Sequence, residues 1–164
     1  GGENNLRKEA EARGVQPDRI IFAKNIPHTS HLARLQLADI ALDAYYHSGG
    51  VTTTDAIWAG LPILTVAGPT PSAQTGVSVL KAARLPELIT YSLDEYEKQL
   101  HHLAGNREEL AKIRSRMTST RDEVPLFDSQ RLARHLELGY NMMWEQYEAG
   151  LEPKGFDIPA ISQV

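Results

Sequence analysis

Residues 47–62, HSGGVTTTDAIWAGLP, put two glycines, three threonines and an aspartate between two apolar runs. These residue types can hold an anion without a metal. Where a glycine loop opens a helix, unpaired backbone N–H groups and the positive end of the helix dipole face the loop, and threonine hydroxyls add neutral donors. Gly50, Thr52 and Thr53 are the candidate phosphate contacts. Asp55, in the first turn, either complements the dipole or accepts from sugar hydroxyls. The same pattern also serves as a tight turn with a threonine N-cap, and it lacks the Walker spacing and its lysine.

Other candidates surround this loop. His28 and His31 have the spacing of a metal pair, but nothing supplies further ligands at sensible separations, so no metal site is expected. Tyr45 and Tyr46 suit either stacking on a base or capping a sheet. No Ser/His/Asp nucleophile arrangement stands out.

The elements that position these residues alternate. Asn5 to Arg13 predicts a helix closed by Gly14, and Arg19 to Ala23 a strand. His31 to Leu37 reads as a short helix and Ala38 to Asp43 as a buried strand. A helix from about Thr54 to Gly60 should carry Ala56, Ile57 and Trp58 inward. Ile63 to Val66 follows as a strand, Ser72 to Ala83 as a helix, and Leu88 to Thr90 as a last short strand. This alternation predicts βαβ units, and so an α/β fold with a Rossmann-like parallel sheet flanked by helices. Ligands of such sheets sit at the carboxyl ends of the strands, which singles out the loops Lys24–Ser30, Ala44–Thr53 and Ala67–Ser72.

Beyond residue 90 the pattern is helical only. Ser92 and Glu95 form a capping box for a helix to about Leu103. Asn106 opens a second helix to about Arg121, and Asp128 caps a third over Ser129–Ala149, ended by Gly150. On the third, Leu132, Leu136, Tyr140, Met143 and Tyr147 form an apolar stripe that calls for a packing partner. We expect residues 1–150 to be one sheet-bearing unit that lacks its first strand, and 151–164 an extended tail that docks elsewhere.

The 164 residues suffice for a sizeable core, and 41% hydrophobic with 23% charged residues is ordinary for a globular domain. A net charge of −4 without a basic run argues against a nucleic-acid surface. The absence of cysteine removes disulfides and thiolate chemistry. No apolar run reaches the roughly 18 to 20 residues of a membrane span, and no signal segment opens the chain, so the expected compartment is the cytoplasm.

Several stretches together resemble one family. His31-Leu32-Ala33-Arg34, Gln36-Leu37-Ala38-Asp39, Leu42-Asp43, GGVTTTDAIWAGLPILT, Pro125-Leu126-Phe127 and Met143-Trp144-Glu145 are similar, in order, to the O-linked N-acetylglucosamine transferases and their SPINDLY-type relatives. The resemblance implies the C-terminal, UDP-binding half of a GT-B enzyme. It implies transfer of N-acetylglucosamine from UDP-GlcNAc to Ser or Thr hydroxyls of an acceptor protein, with inversion and with neither cofactor nor metal. It places His31 beside the uracil, Asp55 on the ribose, Thr52 and Thr53 beneath the diphosphate, and His28 and Gly50 near the nucleotide. Its further partners are the N-terminal GT-B half and tetratricopeptide repeats.

There are departures from the family pattern. Gly50 and Val51 stand where animal members have His-Thr, His28 replaces a lysine, and Gln74 replaces an arginine. The catalytic base is expected outside this chain, and the fragment alone is expected to be inactive. Three other readings stay open: GDP-fucose as donor, a non-protein acceptor, and a nucleotide-binding scaffold without turnover.

Overall fold

The computed structural model describes residues 1–161. The chain divides into two compact units, Gly1–His31 and Leu32–Val164.

The first unit opens with helix α1 (Gly2–Ala12). Gly14, at φ +78°, ends it, with its N–H on Glu11 O and the Val15 N–H on Ala10 O. That double bond satisfies the last carbonyls of the helix, and only glycine takes the left-handed turn at low cost. A short 3-10 turn at Pro17–Arg19 follows. The strand expected over Arg19 to Ala23 does not form: residues 20–27 join no ladder, and Ile21 is 85% exposed. Local β-propensity cannot hold a strand that has no neighbour to pair with. Phe22 lies instead under the Arg7 guanidinium, 5.3 Å from its ring centroid, and Arg7 Nη1 donates to Pro17 O at 2.9 Å. Helix α2 (His28–Leu35) begins three residues before the expected start.

In the second unit, β1 (Ala41–Leu42), β2 (Ile63–Val66) and β3 (Ile89–Thr90) form a parallel sheet in that order. Ala41 pairs with Ile63 and Leu42 with Leu64, while Thr65 pairs with Ile89 and Val66 with Thr90. The strand expected over 38–43 thus contracts to two residues, though Asp43 N–H still donates to Leu64 O at 3.0 Å. Helix α3 (Val51–Trp58) links β1 to β2, and α4 (Thr75–Ala82) links β2 to β3. All four residues of β2 are buried. Because successive side chains point to opposite faces, both faces of the central strand are covered, as a βαβ sheet requires.

The core is leucine-rich. Leu64, Leu80, Leu88 and Leu103 are fully buried, and Leu61 and Leu85 nearly so, each contributing about 1.5–3 kcal/mol by leaving water. Leu103 comes from α5 (Leu93–Gly105), while α6 (Arg107–Ser119) adds Leu110, Ile113 and Met117. The caps follow the sequence reading. Ser92 Oγ accepts from Glu95 N–H at 3.1 Å, and Asn106 Oδ1 accepts from Glu109 N–H at 3.1 Å. Asp128 Oδ1 accepts from Arg131 N–H at 2.8 Å, opening α7 (Ser129–Glu148). Glu95 closes its box on the Tyr91 N–H, one residue earlier than the standard pattern.

One expectation about the C-terminal part changes. The stripe Leu132, Leu136, Tyr140, Met143 and Tyr147 is exposed, from 47% at Leu136 to 73% at Tyr147, so it is not core of the described residues. The chain from 151 to 161 lacks regular structure and packs on α7. Ile158 lies over Gly139, where a Cβ would meet Ile158 Cδ1 at 2.9 Å, and Ile161 N–H approaches His135 Nε2 at 3.5 Å. The last three residues of the expected tail lie outside the described residues.

Candidate functional site

The parallel sheet delivers the β1–α3 loop to its carboxyl edge, and the structure shows what holds it there. Asp43, directly after β1, accepts from Ala44 N–H at 2.9 Å and Gly49 N–H at 2.8 Å with Oδ1. Its Oδ2 accepts from Thr65 Oγ1, on the central strand, at 2.6 Å. The Asp43 carbonyl receives the Tyr96 hydroxyl at 3.2 Å. Burial pushes the Tyr96 phenol pKa up, and the nearby Asp43 charge adds to the shift, while the hydrogen bond to Asp43 opposes it.

Ser48 ties the loop to the following crossover. Its N–H and Oγ both donate to Ser72 O, at 3.1 and 3.0 Å, and Oγ accepts the first-turn N–H of Gly76 in α4 at 2.9 Å. Gln74 Nε2 donates to Gly68 O at 2.5 Å, which closes the loop after β2.

Helix α3 starts three residues earlier than the sequence suggests. Gly50 is its N-cap and offers no side-chain acceptor, so no threonine caps it. The first N–H taken by a helical carbonyl is that of Thr54, on Gly50 O at 2.9 Å. The preceding N–H groups of the first turn therefore point out of the helix start, with the positive end of the dipole behind them. By contrast, side chains cap α5, α6 and α7.

The threonines divide by role. Thr53, with no exposed surface, donates from Oγ1 to Gly49 O at 2.9 Å, and Thr54 Oγ1 donates to Gly50 O at 3.0 Å. Of the three threonines, only Thr52 is exposed. Such back-bonding to the fourth preceding carbonyl uses the hydroxyl proton within the loop. The hydroxyls of Thr53 and Thr54 are thus engaged within the loop. Thr53 stiffens the glycine pair from behind.

Gly50, Thr52, Thr53 and Asp55 are gathered on one helix start, with Asp55 half-buried one turn in. His28 and His31 belong to the first unit, where His28 is the exposed first residue of α2 and His31 N–H donates to Pro27 O at 2.9 Å. Among the described residues, no three His, Asp or Glu side chains are grouped as metal ligands. Tyr45 and Tyr46 meet edge to face at 5.0 Å. Trp58 is 42% exposed rather than core: it packs against Phe127 at 5.1 Å and under the Arg121 guanidinium at 4.3 Å.

The supporting residues Asp43, Ser48, Thr65, Gly76 and Tyr96 had no assigned role in the sequence. The hydrogen bonds among these five span 22 to 53 positions. The only local signal was an aspartate closing an apolar run.

A parallel α/β sheet whose carboxyl edge presents an uncapped helix start behind a glycine pair is a Rossmann-like unit. The chain belongs to glycosyl transferase family 41, whose model matches residues 1–136. It is 35% identical over 158 residues to a probable UDP-N-acetylglucosamine–peptide N-acetylglucosaminyltransferase SEC of Arabidopsis thaliana, which covers 96% of this chain and 16% of the relative. It is 31% identical over 150 residues to the UDP-N-acetylglucosamine–peptide N-acetylglucosaminyltransferase of Caenorhabditis elegans, covering 92% of this chain and 13% of that one. A solved mutant of the Thermobaculum terrenum O-GlcNAc transferase superposes with a TM-score of 0.82 at 29% identity, over 88% of this chain and 28% of the other. The chain therefore spans a small part of the length of these relatives. Among the described residues, no helix is long and apolar enough to cross a membrane.

Proposed function

We propose that this chain is the nucleotide-sugar-binding part of a protein O-glycosyltransferase that moves N-acetylglucosamine from UDP-GlcNAc to Ser or Thr hydroxyls with inversion. The observation that carries this reading is the uncapped start of α3 behind Gly49 and Gly50, at the carboxyl edge of the parallel sheet. In this reading the first-turn N–H groups and the Thr52 hydroxyl receive the diphosphate. Asp55 accepts from the ribose hydroxyls, and Thr53 fixes the loop. His28 and His31 keep the nucleotide-facing roles that the family resemblance gives them.

The chemistry follows from charge. When the anomeric carbon leaves UDP, negative charge grows on the β-phosphate oxygen. Fixed N–H dipoles aimed at that oxygen bind it more strongly in the transition state than in the ground state, with no cation needed. The names of the relatives support UDP-GlcNAc as donor and a protein as acceptor. Because the chain covers so little of those relatives, we assign the catalytic base and the acceptor site to segments outside it, and propose an N-terminal GT-B half and tetratricopeptide repeats as its partners in a cytoplasmic protein.

The test is transfer of labelled sugar by the protein that carries this chain, offered UDP-GlcNAc or GDP-fucose with Ser/Thr peptides, lipids or saccharides. Transfer of N-acetylglucosamine to the peptides is expected. Transfer only from GDP-fucose, or only to non-protein acceptors, contradicts the proposal, as does a complete lack of turnover.

A further inference from the structure

Resting on the reading of the α3 start as the diphosphate contact, we infer that Asp43 is the positioning residue of that site: its carboxylate holds Gly49 against the end of β1 and so fixes where the first-turn N–H groups of α3 aim.

Three donors converge on this one side chain. Oδ1 takes the N–H groups of Ala44 and Gly49, which closes the loop from 43 to 49 into a ring, and Oδ2 takes the Thr65 hydroxyl from the central strand. The strand is the most buried element of the sheet, so the anchor is rigid. Gly49 is then gripped from both sides, with its N–H on Asp43 and its carbonyl on the fully buried Thr53 hydroxyl. The next residue, Gly50, is the N-cap. A change at Asp43 therefore reaches the helix start through a single fixed residue.

The carboxylate also presents a problem that the geometry eases. A negative charge so near a proposed diphosphate repels it, and donors on its two oxygens offset part of that cost. Here Oδ1 is engaged by the loop N–H groups of Ala44 and Gly49, and Oδ2 by Thr65 on the central strand. Gly76 backs against Oδ2, and a Cβ there would collide with that oxygen, so the carboxylate is closely packed on the α4 side. What the loop takes from the side chain is its acceptor geometry. An asparagine has the same shape, keeps the Oδ1 acceptor, and can donate its amide to a turned Thr65 hydroxyl. An alanine keeps none of this.

The experiment is titration of the protein with UDP and with uridine, which lacks the phosphates, followed by amide chemical shifts. Wild type should prefer UDP. Asp43→Ala should lose about tenfold or more in UDP affinity, since it misaims first-turn N–H groups whose hydrogen bonds to a charged phosphate are worth about that much, while uridine affinity is unchanged. Asp43→Asn should restore most of the loss. If Asp43→Ala does not fold, judged by its spectrum, Thr65→Val withdraws one donor at constant shape and should show a smaller loss confined to UDP. Equal loss for UDP and uridine, or no loss in any variant, overturns the positioning role alone. A wild type without preference for UDP over uridine overturns the diphosphate reading, and the positioning role with it.

Discussion

Gly76 of α4 lies directly against the carboxylate of Asp43: a Cβ built on Gly76 would overlap Asp43 Oδ2 and come within 2.8 Å of Thr65 Oγ1. The close approach, not backbone conformation, is what requires glycine here. Gly76→Ala must push the carboxylate, the threonine or the whole first turn of α4. The expected cost is about 1–3 kcal/mol, the range for overpacking a filled interior. Urea unfolding measures it, and an unchanged midpoint contradicts the packing described.

Tyr96 predicts an alkaline limit to stability. Its folded pKa is raised by burial and by Asp43, so the folded state holds the proton more tightly than the unfolded chain. The stabilisation is complete below the unfolded value near 10 and is lost as pH rises through the folded pKa. Tyr96→Phe should flatten that decline in thermal melts taken from about pH 9 upward. Parallel declines in the two proteins contradict the assignment.

The start of α7 depends on Asp128. Asp128→Ala removes the acceptor of the Arg131 N–H and should cost about 1 kcal/mol, with Asp128→Asn recovering most of it. Faster amide exchange in the first turn of α7 is the local signature. Exchange unchanged in Asp128→Ala contradicts the cap.

Leu80 tests the core. It is fully buried within the cluster that joins α3, α4, α5 and the sheet, so Leu80→Ala should cost about 2–5 kcal/mol. A melting temperature within error of wild type would mean that the cluster does not bear on stability.

Much of the fold was legible because its signals are local. Strand Ile63–Val66 coincides with its apolar run, and Ser92, Asn106 and Asp128 cap the helices they were expected to cap, since each cap acts within three residues. Arg19–Ala23 failed because a strand is a pairing, and pairing is not written in one segment. The start of α3 was misplaced because threonines are good caps, whereas here Gly50 caps and two of the threonines bond backward. The place of the loop between a strand and a helix was legible from its glycines and the apolar runs on either side. Its support was not: Asp43, Ser48, Thr65 and Gly76 meet only after two crossovers are folded, and nothing in their spacing announces it.

The central claim is that the α3 start and Asp55 face a uridine diphosphate. Titrating the protein with UDP, UDP-GlcNAc and GDP, in wild type and in Asp55→Ala, tests it most directly. Preference for the uridine nucleotides over GDP is expected, with a loss of about tenfold on Asp55→Ala from the missing ribose acceptor. Equal binding of UDP and GDP, or an Asp55→Ala protein with undiminished affinity for UDP, would contradict it.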